Sequence, residues 1–497
     1  MRRSSETPAL SIAEELVGRG HVHWGDEAVQ VRRIKVFRLK YDSHSRWTFE
    51  LTAEDQSAHD PFGPVLRTHA RPPSFLGTTD LGEPLRIPSL DWEHAENDAL
   101  VGTAQEVFVG PQKITFMPDR QVVVAELTPT ELAVPEKHVW TSYTGEMREP
   151  EGSKPRPAME IPSGLGKMRL VLHYRYRFET ADVGAQRSLL RIPTPTIALQ
   201  VGTNSLSQDH DSLITRFLGE LELALRLVSY LSRRHVYWSR IKVSSYDENS
   251  RATLERVRGG IGDPIDVDRE RQFVNPYRLG SNLANMVDGL RASPYKDALL
   301  LAMLYLVSAI NARFVETSLL EAFTAWETLT NGIGAADGEE WILDPPVFKE
   351  LRARMKNVLS QFIADHTLPL TVSSAVASKM SELNRPSFAQ RASNLLEREN
   401  VGWQDLWKTS TSLIARVREL ADRRNQFVHA GKIDNPTLTS IDARRAIVLV
   451  ERLIYRLIAG DDQWLDPRAY DFVRGLSKLE DAVRAEQASV SSQAIDT

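Results

Sequence analysis

There is no cysteine anywhere in the chain. Disulfides, thiolate-bound zinc and cysteine nucleophiles are therefore excluded, and any chemistry must come from oxygen and nitrogen side chains. Long apolar runs are also missing. No stretch approaches the roughly 20 residues a membrane span needs, and the closest candidate, Ala298 to Ile310, stops at Asn311 and Arg313 and reads as a buried helix. The N-terminal residues Ser4, Ser5, Glu6 and Pro8 lack the apolar core of a signal peptide. Excess positive charge is absent as well. With 61 basic and 66 acidic residues the net charge is -5, so any RNA contact has to be a local site with its own arginines rather than a basic coat. The expectation is a soluble, cytoplasmic protein without membrane contact. At 497 residues it is too long for a single core.

What is present divides the chain in two. Apolar residues alternate through Val29 to Leu39, Trp47 to Leu51, Glu106 to Val109, Ile114 to Met117, Val122 to Leu127 and Ile197 to Val201, and each of these reads as a strand. The strongest strand signal is Lys167 to Thr180, with Leu170, Leu172, Tyr174, Tyr176 and Phe178 on one face. One helix is embedded among them, Ser212 to Ser232, carrying Leu213, Phe217, Leu221, Ala224, Leu225 and Val228 at helical spacing. Residues 1–262 are thus expected to form a β-rich domain, a sandwich or barrel-like module. A charged connector over 263–290 follows, then an all-α bundle over 291–476 and a polar tail over 477–497. The fold class is α+β. In the bundle, Ala298 to Asn331 reads as one long central helix ended by Gly332 and Gly334. Pro345 and Pro346 open the next helix, shorter ones surround Val372 to Leu383 and Ser387 to Glu399, and two longer ones run over Ser410 to Ala430 and Ser440 to Ile458.

The helix over Ser410 to Ala430 ends in Arg423-Arg424-Asn425-Gln426-Phe427-Val428-His429. On a wheel of about 100° per residue, Leu413, Val417, Leu420, Phe427 and Val428 share an apolar face, and Arg424 falls inside it. Arg418, Asp422, Asn425 and His429 share a separate polar face, with Asn425 and His429 one turn apart. An arginine on the apolar side needs an anion. That anion is either a carboxylate of the long helix (Glu316, Glu321 or Glu327) or a bound phosphate. In the first case Arg424 is a structural ion-pair partner in a non-catalytic binding module. In the second it offers a planar, permanently charged fork, Asn425 adds hydrogen bonds, and His429, as a histidine, can move a proton near neutrality. Arg424 and His429 diverge by about 140° on a straight helix. They meet only if the helix distorts near Gly431 or if a second copy completes the site.

Arg424-Asn425-x-x-x-His429, set between long helices, resembles the R-x4-6-H motif of HEPN domains. The β-rich half with its embedded helix and the returning stretch VYWSRIKV resembles the N-terminal region of ApeA-like anti-phage proteins. Residues Phe323 to Leu329 are similar to the Ala-x-Glu-x-Leu pattern on the first long helix of that group, which points to Glu327 as a supporting residue. The resemblance implies a HEPN-like bundle that dimerises, with two motifs facing each other across the interface. It also implies metal-independent RNA cleavage, in which the ribose 2′-hydroxyl attacks the adjacent phosphate to leave a 2′,3′-cyclic phosphate. Arg424, Asn425 and His429 are then the catalytic residues, with no cofactor and no metal. The implied setting is abortive infection, with RNA (tRNA among the substrate classes) as substrate, a homodimer as the active form and a phage-derived trigger.

Other constellations read as structural. His21 and His23 with Asp26 nearby suggest a loop without a full metal-ligand set. Gly259-Gly260-Ile261-Gly262 lacks the lysine of a phosphate-binding loop and reads as a linker. Arg233-Arg234-His235 and the outer face of Lys167 to Thr180 read as solvated basic surface.

Overall fold

The structure is a computed structural model describing residues 15–24, 30–41, 47–54, 72–96, 99–128, 159–180, 187–258, 282–339, 341–407, 411–431, 435–460 and 472–493. It has an antiparallel β-sheet region followed by a helical region, the α+β architecture expected from the sequence. The chain divides into two compact units. The first is Met1–Leu225 with Val236–Asp268, and the second is Arg226–His235 with Arg269–Thr497.

The first unit contains β1 (Glu15–Trp24), β2 (Gln30–Tyr41), β3 (Trp47–Ala53), β4 (Ser74–Thr79), β5 (Pro84–Ile87), β6 (Leu90–Glu96) and β7 (Ala99–Ala104). It continues with β8 (Glu106–Val109), β9 (Arg120–Leu127), β10 (Met159–Ile161), β11 (Gly166–Thr180), β12 (Arg187–Val201), β13 (Trp238–Tyr246) and β14 (Arg251–Arg258). They form one 14-stranded sheet in the order β10-β11-β12-β9-β13-β14-β8-β5-β4-β1-β2-β3-β7-β6. Within this order, β8 and β7 stand six places apart although only Gln105 joins them. Laid flat, six inter-strand spacings cover roughly 30 Å, far beyond the reach of one residue. The run from β8 to β7 must therefore curl on itself, which is the barrel-like form. One core agrees with this: Val22, Phe37, Phe49, Phe75, Leu100, Val107 and Val257 belong to a single buried cluster.

Several expectations change here. Ile114 to Met117 is not a strand; the neighbouring Lys113 makes an isolated bridge to Asp209. His21 and His23 lie on β1 rather than in a loop, and no group of three or more metal-binding side chains occurs among the described residues. Asp26 and Gly259 to Gly262 lie outside the described residues. The embedded helix is α1 (His210–Ser232), whose start belongs to the first unit and whose end belongs to the second.

The helical unit contains α2 (Asn282–Ala292), α3 (Lys296–Asn311), α4 (Val315–Asp337), α5 (Pro345–Asp365), α6 (Leu370–Lys379), α7 (Phe388–Arg398), α8 (Leu413–Ala430), α9 (Pro436–Ala459) and α10 (Val473–Gln493). The expected long helix is two, because the chain is extended at Ala312 and Phe314. Asn311 helps to end α3: its side-chain amide donates to Val307 O at 2.7 Å and Arg233 O at 3.0 Å. Gly332 and Gly334 do not end the second helix, which runs on to a left-handed cap at Gly338 (φ 74°). Gly332 serves close packing instead, since a Cβ there would lie 2.5 Å from Ala298 Cβ on α3. Helix α2 occupies the end of the segment read as a connector, burying Leu283, Met286, Val287 and Leu290. Helix α10 replaces most of the expected polar tail, with Leu476 packed against Leu438 and Ile441 of α9.

Candidate functional site

Helix α8 is a regular helix through Ala430, closed by Gly431 at φ 64° with its N–H bonded to Phe427 O at 2.8 Å. Glycine supplies the left-handed conformation this cap needs. Leu413, Val417 and Leu420 are buried at spacings of four and three, and Arg424 is the next member of the same stripe. It is only partly buried. Val428, expected on the apolar face, is 48% exposed.

Of the three glutamates open as partners, Glu327 is the one that meets Arg424. Arg424 Nη2 donates to Glu327 Oε2 of α4 at 3.3 Å, and Nη1 donates to Asn425 Oδ1 at 3.0 Å. The pair is accessible, with 26% of the arginine side chain and 35% of the glutamate side chain exposed. Both groups can therefore reach a ligand. The neighbouring Arg423 leaves α8 on another side, its Nε lying 2.6 Å from Asp442 Oδ2 of α9. Burial pushes the Asp442 carboxyl above the usual carboxylate range, with Arg423 and Arg445 pulling against it. Arg445, itself buried, binds Leu406 O at 3.1 Å and Glu480 of α10 at 2.6 Å. Adjacent arginines thus tie α8 to α4 on one side and to α9 on the other.

Asn425 and His429 are exposed one turn apart, together with Arg418 and Asp422. Since α8 is unbroken, no distortion brings Arg424 and His429 onto one face; they diverge by about 140°. Among the expected site residues the structure therefore joins Arg424, Asn425 and Glu327 directly, and it sets His429 on the solvent side of the same helix end.

Sequence reasoning missed two neighbouring groups. The first is the Arg423–Asp442–Arg445 cluster, whose signal was an Asp and an Arg three apart, among the apolar residues Ile441, Ala443 and Ala446 of α9. The second is Arg391 of α7, which donates to Asn331 Oδ1 of α4 at 2.6 Å. An arginine on an amphipathic helix gives no sequence signal of its own. Arg233, read as solvated, is buried. At φ 53° it closes the end of α1 and makes a two-pronged ion pair with Glu451 at 2.5 and 2.6 Å. His235, beside it, lies 3.3 Å from Ser308 Oγ, and burial lowers its pKa. No helix among the described residues is long and apolar enough to cross a membrane. Comparison with protein-family models, curated proteins and solved structures finds no match for this chain.

Proposed function

We propose that the chain is an RNA endonuclease of the HEPN type, working as a homodimer through its helical unit in defence against phage. The observation that carries this reading is the division of α8 into two stripes. Arg424 continues the buried stripe and is held by Glu327, while Asn425 and His429 stand together on the exposed one. In the proposed reaction the ribose 2′-oxygen attacks the adjacent phosphorus, and His429 accepts the hydroxyl proton. Arg424 stabilises the charge that builds on the phosphorane oxygens, and Asn425, already bonded to it, fixes its orientation. The bond from phosphorus to the 5′-oxygen breaks, and that oxygen takes a proton from His429 of the partner subunit. The products are a 2′,3′-cyclic phosphate and a 5′-hydroxyl, and the scheme uses no metal ion. Requiring the 2′-hydroxyl selects RNA over DNA. The divergence of Arg424 from His429 is the reason the scheme calls for a second copy. The β-rich unit senses a phage-derived trigger or restrains the nuclease.

The same ion pair also favours a second reading, in which Arg424 is a structural partner of Glu327 in a non-catalytic dimerisation module. Arg424→Ala and His429→Ala in the full chain separate the two, assayed on cellular RNA with and without extract from phage-infected cells. The nuclease reading predicts that both variants fold and dimerise as the parent does, with cleavage lower by about 10²–10⁴-fold. The structural reading predicts that Arg424→Ala unfolds the helical unit and that His429→Ala changes nothing.

A further inference from the structure

Helices α4, α7 and α8 pack against one another, and α4 presents one edge to the other two. Glu327 on that edge holds Arg424 of α8. Four residues along, Asn331 holds Arg391 of α7, at 2.6 Å. Residues four apart on a helix share a face and are separated by about 6 Å along its axis. The anchors of two guanidinium groups from different helices therefore lie one turn apart on an edge that is partly open to solvent.

The row does not continue as a cationic strip. Beyond it, Arg398 of α7 lies 2.8 Å from Asp337, 3.1 Å from Glu399 and 3.8 Å from Glu339. Three carboxylates surround that guanidinium and would repel a phosphate, whereas Arg424 meets the single carboxylate of Glu327, which an incoming phosphate would displace.

We propose that Arg391 is a positioning residue that binds the phosphodiester next to the one Arg424 holds, so that the substrate is a single-stranded RNA segment engaged at two successive phosphates. This rests on the nuclease reading and specifies its substrate class. One helical turn is comparable to the separation of successive phosphates along an extended strand, and each guanidinium offers the planar fork that phosphate oxygens accept. An extended strand is also what the chemistry needs. The 2′-oxygen must line up with the departing 5′-oxygen, an alignment the stacked A-form duplex does not adopt.

The test uses the full chain carrying His429→Ala, so that RNA is bound and not consumed, and fluorescence anisotropy with a labelled single-stranded RNA of about 20 nucleotides over about 50–200 mM salt. Adding Arg391→Ala is expected to weaken binding about 5- to 20-fold and to make the slope of log affinity against log salt shallower by about 0.7, the loss of one phosphate contact. Arg391→Lys and Asn331→Ala both keep a cation there and should keep the slope. Melting temperatures within about 2 °C of the parent show that the fold is retained. A slope unchanged by Arg391→Ala, or a duplex of the same sequence bound as tightly as the single strand, overturns the proposal. If the wild-type chain still cleaves RNA in that event, the nuclease reading survives alone. If the wild type cleaves nothing and the His429→Ala chain binds no RNA at any salt, both fall together.

Discussion

Arg423 and Arg424 are neighbours in sequence that leave α8 toward different helices, one to Asp442 and the other to Glu327. The place of Arg424 was legible, because Leu413, Val417 and Leu420 set a stripe whose next member is an arginine. Its partner did not follow from spacing, since Glu316, Glu321 and Glu327 all lie on the preceding long helical stretch, although the family resemblance pointed to Glu327. The exposed pair Asn425 and His429 followed directly from helical spacing. Burial has its own consequence at His210 in the first unit. Its Nδ1–H donates to Pro111 O at 3.0 Å, and Nε2 lies 2.7 Å from Ser245 Oγ, whose hydroxyl can donate to a neutral ring. Burial lowers the pKa of His210 below 6.5, against weaker opposing effects from Pro111, Asp209 and Asp211. The unfolded chain then binds the proton more readily, so this contribution to stability is complete above about pH 6.5 and is lost as the pH falls. Denaturant midpoints are expected to drop between about pH 7.5 and pH 5, and His210→Gln should flatten that dependence. His23 and His235, whose pKa values burial also lowers, leave a residual slope of the same sign.

At the scale of elements, the long periodic segments were read well and the breaks between them poorly. The spans of β2, β8, β11, α1, α5 and α7 follow from apolar period and from caps such as Ser387, whose side chain accepts from Gln390 N at 3.2 Å. The break between α3 and α4 carries neither glycine nor proline. It depends on Asn311 reaching Arg233, a partner far away in the chain. Conversely, Gly332 looked like a terminator because glycine favours helix ends, whereas its work is to let α3 and α4 approach. Gly332→Ala should therefore cost about 1–3 kcal/mol through overpacking, although alanine in a helix interior ordinarily gains nearly 1 kcal/mol over glycine. Urea unfolding checks this, and adding Ala298→Gly should restore most of the loss. Equal or greater stability of Gly332→Ala would show that the two helices separate without cost.

For the whole molecule, the alternation of short strands and then long helices made two units legible, but not where the chain crosses between them. Arg226–His235 belongs to the helical unit although sequence order sets it among strands. Arg233 and Tyr230 from this segment bind Glu451, whose side chain is fully buried. A fragment covering residues 263–497 lacks them and so removes the two-pronged arginine partner of that carboxylate. It should lose about 3–5 kcal/mol relative to the same unit in the full chain, and Glu451→Leu should recover part of the loss. A fragment as stable as the parent unit would contradict that. The central claim, that His429 and Arg424 cleave RNA through the 2′-hydroxyl, is tested most directly by the chemistry of the product ends. The full chain is incubated with RNA in the presence of chelator and extract from phage-infected cells. The account predicts 2′,3′-cyclic phosphate and 5′-hydroxyl termini that disappear with His429→Ala. Products ending in 5′-phosphate, or cleavage retained by His429→Ala, would contradict it.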